Sequence, residues 1–309
     1  MNLPMNPPAT PRSTSVGSSA TFNTVKTFTL LAGLGGFFVL IGSLLGGPTG
    51  LVIGLLLGLG LVGMSYWNSD RLAVRAARAR EVQPGELDWL HDDLRAIAAR
   101  AGMATPPRLF ISPDQQPNAF ATGRNEANSV VCVTDGLLRI LDRNEVRGVV
   151  AHEVGHITNR DILIGSIAAA VATGISAIAN MAMFAGLFGG SRNDGPNPAV
   201  VLLLALVAPI AASVMQMALS RSREYEADRV GAELLGDPRP LANALVKLDA
   251  TSRRVPMDVD PAHATAYIVN PLTGRKSDRA AQFANLFQTH PPIEDRIARL
   301  LGTQAIASA

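Results

Sequence analysis

Two histidines, His152 and His156, stand four positions apart, with Glu153 directly after the first. Asp142 and Glu145 precede them at the three-residue spacing of a helix start, so the motif is predicted to lie on a helix. Positions four apart on a helix differ by about 40° around its axis, so both imidazoles project from one face and can share a metal ion. Glu153 is rotated off that face, where its carboxylate can reach a metal-bound water. The pattern predicts a zinc site with Glu153 as general base.

A catalytic zinc ion needs a third protein ligand, and no further histidine follows at the short spacing that would supply it. Glu224 and Asp228 lie one turn apart on a predicted helix after residue 221, hence on one face. This pair suits a glutamate ligand with a second carboxylate behind it that orients a histidine ring. We therefore predict one zinc ion per chain, held by His152, His156 and Glu224, with Asp228 accepting a ring N–H. The alternative is that these charges only solvate a helix surface.

Long uncharged runs surround these residues. Only 17% of the 309 residues are charged and 48% are hydrophobic, and three stretches, 27–69, 162–191 and 195–220, carry no charged side chain. A bilayer span needs about 20 apolar residues, so four transmembrane helices in two hairpins are expected. Gly and Pro at 46–50 and a polar stretch at 192–196 mark the turns. A cleavable signal peptide and a buried helix pair of a soluble core are the competing interpretations.

The predicted fold class is an α-helical integral membrane protein with an α+β zincin-type (HExxH) catalytic domain. Its expected parts are a disordered tail (1–25), hairpin one (26–68), the first part of the catalytic domain (69–161), hairpin two (162–220) and the second part (221–309). Helical periodicity near residues 87–98 and three strand-like stretches at 108–112, 118–122 and 129–133 predict a helix and a small antiparallel sheet. Residues 255–289 show little periodicity.

Charge and cysteine usage bear on location. Basic residues near the ends of the runs, including Arg71, Arg75, Arg160 and Arg221, place the tail and the catalytic candidates in the cytoplasm. The single cysteine, Cys132, cannot form an internal disulfide, which agrees with a reducing compartment. A net charge of +2 without a basic and aromatic surface argues against nucleic acid as a partner.

Beyond these patterns the sequence resembles the HtpX-like membrane zinc endopeptidases, which are related to the CAAX prenyl proteases. The resemblance covers nearly all of residues 27–301 and rests on the paired apolar segments and on four motifs, at 117–123, 152–161, 224–228 and 289–292. It implies His152, His156 and Glu224 as zinc ligands and Glu153 as catalytic base. It also implies cleavage of membrane or misfolded polypeptides in quality control, at a bacterial inner membrane. The tail of about 25 residues is longer than is usual in that family.

The sequence also contains candidate substrate-binding and oxyanion-binding residues around the predicted metal site. Strand 118–122, through Asn118, Ala119 and Phe120, is expected to pair with an extended substrate, although an ordinary edge strand is the alternative. His290, beside two prolines, can donate to a developing oxyanion or serve structure alone. Arg296 is a further candidate for supporting that donor.

Three other functions are compatible with parts of the sequence: a transporter, a zinc scaffold and a prenyl-peptide protease. A transporter is disfavoured because the uncharged runs hold only neutral polar residues such as Asn180 and Gln216. A non-hydrolytic zinc scaffold would be closed by four ligands and would need no base beside the metal. Prenyl-peptide cleavage differs from broad proteolysis only in substrate. The expected partners are polypeptides and the lipid bilayer, and the oligomeric state is left open.

Overall fold

The computed structural model describes residues 16–162, 221–254 and 291–302. Helix α1 (Val16–Trp67) opens the described chain and is followed by α2 (Ser69–Ala76). Residues 16–25 are therefore helical, and their assignment to a disordered tail was wrong. Extending a helix that already exists costs far less than nucleating one, so a Ser- and Thr-rich stretch can be carried by the apolar run behind it.

Inside α1, Gly47 has φ +56° and stands directly before Pro48. A left-handed residue departs from α-helical dihedrals, so the backbone of α1 is distorted at the glycine and proline where the sequence predicts a turn. The helix nevertheless runs through this point, so the structure has one helix where the sequence predicts a hairpin of two. Among the described residues, no helix meets both the length and the hydropathy needed to cross a bilayer. The predicted second hairpin lies outside the described residues, except for Ile162.

The sheet has four strands in the order β1-β2-β4-β3: β1 (Arg80–Glu81), β2 (Arg108–Ser112), β3 (Ala119–Gly123) and β4 (Ser129–Thr134). β1 and β3 run antiparallel to their neighbours, but β2 and β4 pair in parallel. The prediction of an antiparallel sheet was wrong for this central pair. Both strands are buried almost throughout, and continuous apolar runs of this kind are typical of parallel strands covered on both faces.

Six more helices are present in the described chain: α3 (Asp88–Arg100), α4 (Asp135–Ile140), α5 (Arg143–Thr158), α6 (Arg221–Leu235), α7 (Arg239–Arg254) and α8 (Ile293–Leu300). α5 lies at the centre of the main core. Its inward residues pack with those of α3 and α7, namely Val149, Val150, Val154, Leu90, Leu94, Leu241 and Leu245. The helix predicted after residue 221 ends at Leu235, because Gly236 (φ +70°) and Pro238 follow it.

Helix α5 begins as the sequence predicts. Asp142 accepts a hydrogen bond from the backbone N–H of Glu145, and the Glu145 carboxylate accepts one from the N–H of Asp142. This reciprocal capping box satisfies two backbone donors that a helix start leaves free. Lys247 of α7 donates to the same Glu145 carboxylate, at 2.7 Å. The start of the helix that carries both histidines is thus fixed by its own sequence and tied to the core.

Candidate active site

Glycines hold α5 and α6 in close contact at the site. A Cβ added to Gly231 of α6 would lie 2.9 Å from the backbone N of His152, and one added to Gly155 of α5 would lie 3.0 Å from the carbonyl oxygen of Ala227. Distances this short leave no room for a side chain at either position. The resulting approach of the two helices brings Glu224 to the histidines.

Three ligand atoms converge in the space between these helices. The Nε2 atoms of His152 and His156 are 3.1 Å apart. Of the Glu224 carboxylate, Oε2 lies 3.7 Å from the His152 Nε2 and Oε1 lies 3.7 Å from the His156 Nε2. In a tetrahedral zinc site with bonds of about 2.0–2.1 Å, neighbouring ligand atoms are separated by about 3.3 Å. The observed separations therefore fit a single zinc ion bound by these three residues.

The surroundings of the opposite ring nitrogens favour a metal ion in this donor set. Nδ1 of His152 lies 2.9 Å from Asp228, and Nδ1 of His156 lies 3.1 Å from Asp161. Carboxylates only accept hydrogen bonds, so each Nδ1 carries the ring proton and each Nε2 presents a lone pair. Two lone pairs and a carboxylate facing one another repel unless a metal ion lies between them. Asp228 accordingly contacts a zinc histidine from behind, where the sequence predicts it.

Arg296 connects the last described helix to this site. It is fully buried, and its guanidinium donates two hydrogen bonds to Asp228, at 2.8 and 2.7 Å. A third nitrogen lies 3.5 Å from the Glu224 carboxylate. Burial alone would raise the pKa of Asp228, but Arg296 and His152 outweigh it and hold that pKa at about 2. Arg296 thus pairs both with the metal ligand Glu224 and with Asp228, the carboxylate behind His152. His290, the oxyanion candidate, lies outside the described residues.

Glu153 lies beside the metal ligands with its side chain buried, at 3% exposure. Burial raises the pKa of its carboxyl above the ordinary value. The carboxylate accepts a hydrogen bond from the backbone of Ala121, which places strand β3 against it. A buried carboxylate with a raised pKa next to a metal site suits a group that takes up and returns a proton.

The register of β3 shows which of its backbone groups face away from β4. Asn118 and Thr134 are a bonded pair, since the Thr134 N–H donates to the Asn118 carbonyl at 3.0 Å. Bonded and non-bonded pairs alternate in antiparallel ladders, so the Phe120 backbone also faces β4, whereas those of Ala119 and Ala121 face the outer edge. Of the three predicted substrate-binding residues, only Ala119 presents backbone groups at that edge. Ala121 is the neighbour that the prediction omitted.

The side chain of Phe120 also points away from the metal. It packs with Phe110, Val130 and Cys132 in a small cluster on the far face of the sheet. Asn118 is 5% exposed and its N–H is taken by the hydroxyl of Thr134, at 2.9 Å. These two residues shape the strand and do not reach the catalytic face with their backbone.

Asp161 had no predicted role. It lies five positions after His156, inside one of the motifs on which the resemblance rests, but spacing alone does not reveal that the chain turns back at this point. Arg223, next to the third ligand, was also missed; it is 8% exposed and its charge acts on both Asp161 and Glu224. The signal available in the sequence was an arginine directly before a predicted ligand.

A His/His/Glu zinc site on two packed helices of an α+β fold, with a buried glutamate beside it, defines the class of zinc metallopeptidases. The sequence model of peptidase family M48 matches residues 84–304 of this chain. The chain therefore belongs to peptidase family M48.

Its relatives support that assignment along most of the chain. It is 46% identical over 286 residues to the protease HtpX homolog of Desulfatibacillum aliphaticivorans, covering 91% of this chain and 90% of the relative. It is 48% identical over 282 residues to the protease HtpX homolog of Pelotomaculum thermopropionicum, covering 90% and 98%. The crystal structure of S. mikatae Ste24p aligns with a TM-score of 0.47 and 19% identity, over 92% of this chain and 67% of that one. The predicted family, enzyme class and zinc ligands are confirmed.

Proposed function

We propose that this M48 zinc metallopeptidase is a membrane-bound endopeptidase that cleaves membrane or misfolded proteins in quality control, with Glu153 as general base. The single observation that carries the catalytic part is the buried Glu153 carboxylate, held against β3 and next to His152 and His156. When bound, zinc supplies Lewis acidity that polarises a carbonyl and acidifies water. Glu153 takes the proton of the attacking water and delivers it to the departing amine, so no covalent intermediate is needed.

Substrate pairing along β3 supports an activity on extended polypeptides. β3 is one of the two edge strands of the described sheet. The outward backbone of Ala119 is offered to a substrate, and Ala121 beside it contacts Glu153 through its backbone. An edge strand binds an extended chain through main-chain hydrogen bonds, which demands little of the substrate's sequence. Such weak sequence demand is what removal of varied damaged proteins requires.

His290 remains the proposed donor to the developing oxyanion. It precedes the buried Pro291 and lies six positions before Arg296, whose guanidinium reaches the carboxylates of Asp228 and Glu224. The start of α8 is thereby tied to the metal site. This attachment supports the role proposed for the histidine just ahead of it.

Membrane attachment is proposed from the uncharged runs and from α1. Large apolar side chains of α1 are exposed in the described structure, among them Leu51, Val52, Ile53, Leu56, Leu57 and Leu59. Trp67, 64% exposed, ends the helix, and the exposed Arg71 and Arg75 follow. This order of apolar, aromatic and basic residues is that of a helix leaving a bilayer on its cytoplasmic side.

The catalytic proposal is tested with Glu153→Gln, which keeps the shape of the side chain and removes its basicity. We expect casein cleavage by the purified protein in detergent to fall by about 10²–10⁴-fold, with zinc content unchanged. His152→Ala with His156→Ala should lose the zinc as well. Glu226→Gln serves as control, because Glu226 pairs with the exposed Arg229 on the surface of α6. This variant should change neither casein cleavage nor zinc content. Undiminished cleavage by Glu153→Gln would remove Glu153 as base.

Orientation is tested by labelling single cysteines placed at residues 15, 100, 194 and 230 in intact and opened cells. Burial raises the pKa of the native Cys132 thiol to about 12, so this residue stays silent in the experiment. We expect residues 15, 100 and 230 to be shielded in intact cells and residue 194 to react. Labelling of residue 100 from outside would reverse the proposed orientation.

A further inference from the structure

The end of α5 is built into the metal site. The N–H of Asp161 donates to the carbonyl of His156 at 3.2 Å, and the N–H of Arg160 donates to that of Ile157 at 3.0 Å. Between them Arg160 adopts φ +56°. These crossed bonds around a left-handed residue are a Schellman ending, in which glycine is the usual central residue. An arginine is strained in this conformation.

The turn sends the chain back over the zinc histidine. It brings the Asp161 carboxylate to 3.1 Å from Nδ1 of His156, five positions earlier, and buries that carboxylate at 3% side-chain exposure. The contact fixes the ring with its proton on Nδ1 and its lone pair on Nε2, facing the metal. The turn that ends α5 therefore also orients the zinc ligand His156.

Arg223 completes this arrangement from α6. It is buried and its charge acts on Asp161 and on Glu224, so a cation lies near both carboxylates. The other histidine has the same kind of support, with Asp228 at its Nδ1 and Arg296 on that carboxylate. Each zinc histidine therefore has an aspartate at its Nδ1 and an arginine whose charge acts on that aspartate.

We propose that Asp161 is the positioning residue of His156, and that the left-handed turn at Arg160 sets its place, so that the helix ending determines how tightly zinc is held. Arg160 is exposed, and the backbone conformation at this position, not the guanidinium, is what the site requires. The inference concerns zinc alone, so it stands or falls independently of the substrate and of the base proposed above.

The test measures zinc affinity by competition with a chelator on the full chain in detergent, with the absorption spectrum of the cobalt-substituted protein as second readout. Asp161→Asn should weaken zinc by roughly 10–100-fold and alter the cobalt spectrum. Asp70→Asn is the matched control, because Asp70 is also buried and bonded to an arginine, Arg108, at 2.8 Å, but lies away from the metal. This variant should leave both readouts unchanged.

Two changes at residue 160 separate the turn from the side chain. Arg160→Gly relieves the strain and keeps the turn, so it should retain wild-type zinc affinity and is expected to fold. Arg160→Val keeps Asp161 but disfavours the left-handed turn, so it should weaken zinc in the direction of Asp161→Asn. The proposal is overturned if Asp161→Asn binds zinc like Asp70→Asn, or if Arg160→Gly weakens zinc as much as Arg160→Val.

Discussion

Helix α1 and the α5–α6 pair depart from the usual distribution of side chains in opposite directions. α1 leaves Leu56 and Leu59 more than 60% exposed, whereas α5 and α6 bury His152, Glu153 and Asp228 below 4%. Exposed apolar surface and buried charge are each unfavourable in water unless something else meets them. Each region therefore suits a partner other than water: zinc for the helix pair and, as proposed above, lipid for α1.

The largest effect should come from placing charge on α1. Leu56→Arg together with Leu59→Arg puts two cations where lipid is proposed, at a cost of about 5–7 kcal/mol. We expect a larger share of this variant than of the wild type in the carbonate-extracted fraction, with the uncharged runs 162–191 and 195–220 retaining the rest. The control is Val246→Arg with Leu301→Arg, two similarly exposed residues, at 52% and 46%, of the catalytic region. Equal extraction of both variants would remove lipid as the partner of α1.

The next largest effect concerns the buried charges next to the zinc site. Arg296→Leu leaves Asp228 buried without its cation, which should destabilise the protein by about 3–5 kcal/mol in thermal unfolding. Adding Asp228→Asn removes the stranded charge and should recover part of that loss, since the two residues form one unit. Arg299→Leu, on the exposed side of α8 against Tyr225, should cost less than about 1 kcal/mol. Additive losses for Arg296 and Asp228 would contradict the assigned contact.

The smallest effect tests the close approach of the two helices. Gly231→Ala introduces a Cβ within about 3 Å of the His152 backbone, and such overpacking costs about 1–3 kcal/mol. Because the helices must separate, zinc affinity should fall together with stability. A variant with lower stability and unchanged zinc affinity would show that Glu224 reaches the metal without this approach.

The parts that sequence predicts well are those with local signals. The capping box of Asp142 and Glu145 and the four-residue spacing of the histidines depend on neighbours within one helix, so they fix α5 and its metal-binding face. Glu224 required one more step, because a third ligand had to be sought outside the helix that carries the histidines.

The parts that sequence misses depend on contacts between distant segments or on unusual backbone. The parallel pairing of β2 with β4 places β3 at the edge, which no alternation pattern reveals. Asp161 reaches His156 only because Arg160 adopts a left-handed conformation that non-glycine residues seldom show. Arg296 was predicted only as a support for the oxyanion donor, and its contacts with Asp228 and Glu224 depend on the packing of α8 against α6.

The metal also changes the entropy of the chain. Its ligands His156 and Glu224 are 68 positions apart, on either side of residues 163–220. Closing a chain separation of that length costs about 4 kcal/mol in conformational entropy, whereas zinc at protein sites contributes about 10 kcal/mol or more. Zinc is therefore a cross-link between two halves of the sequence, comparable to a disulfide in its effect. A protein nicked by protease within residues 163–220 should stay associated through α5 and α6 while zinc is bound, and come apart more readily once a chelator removes it.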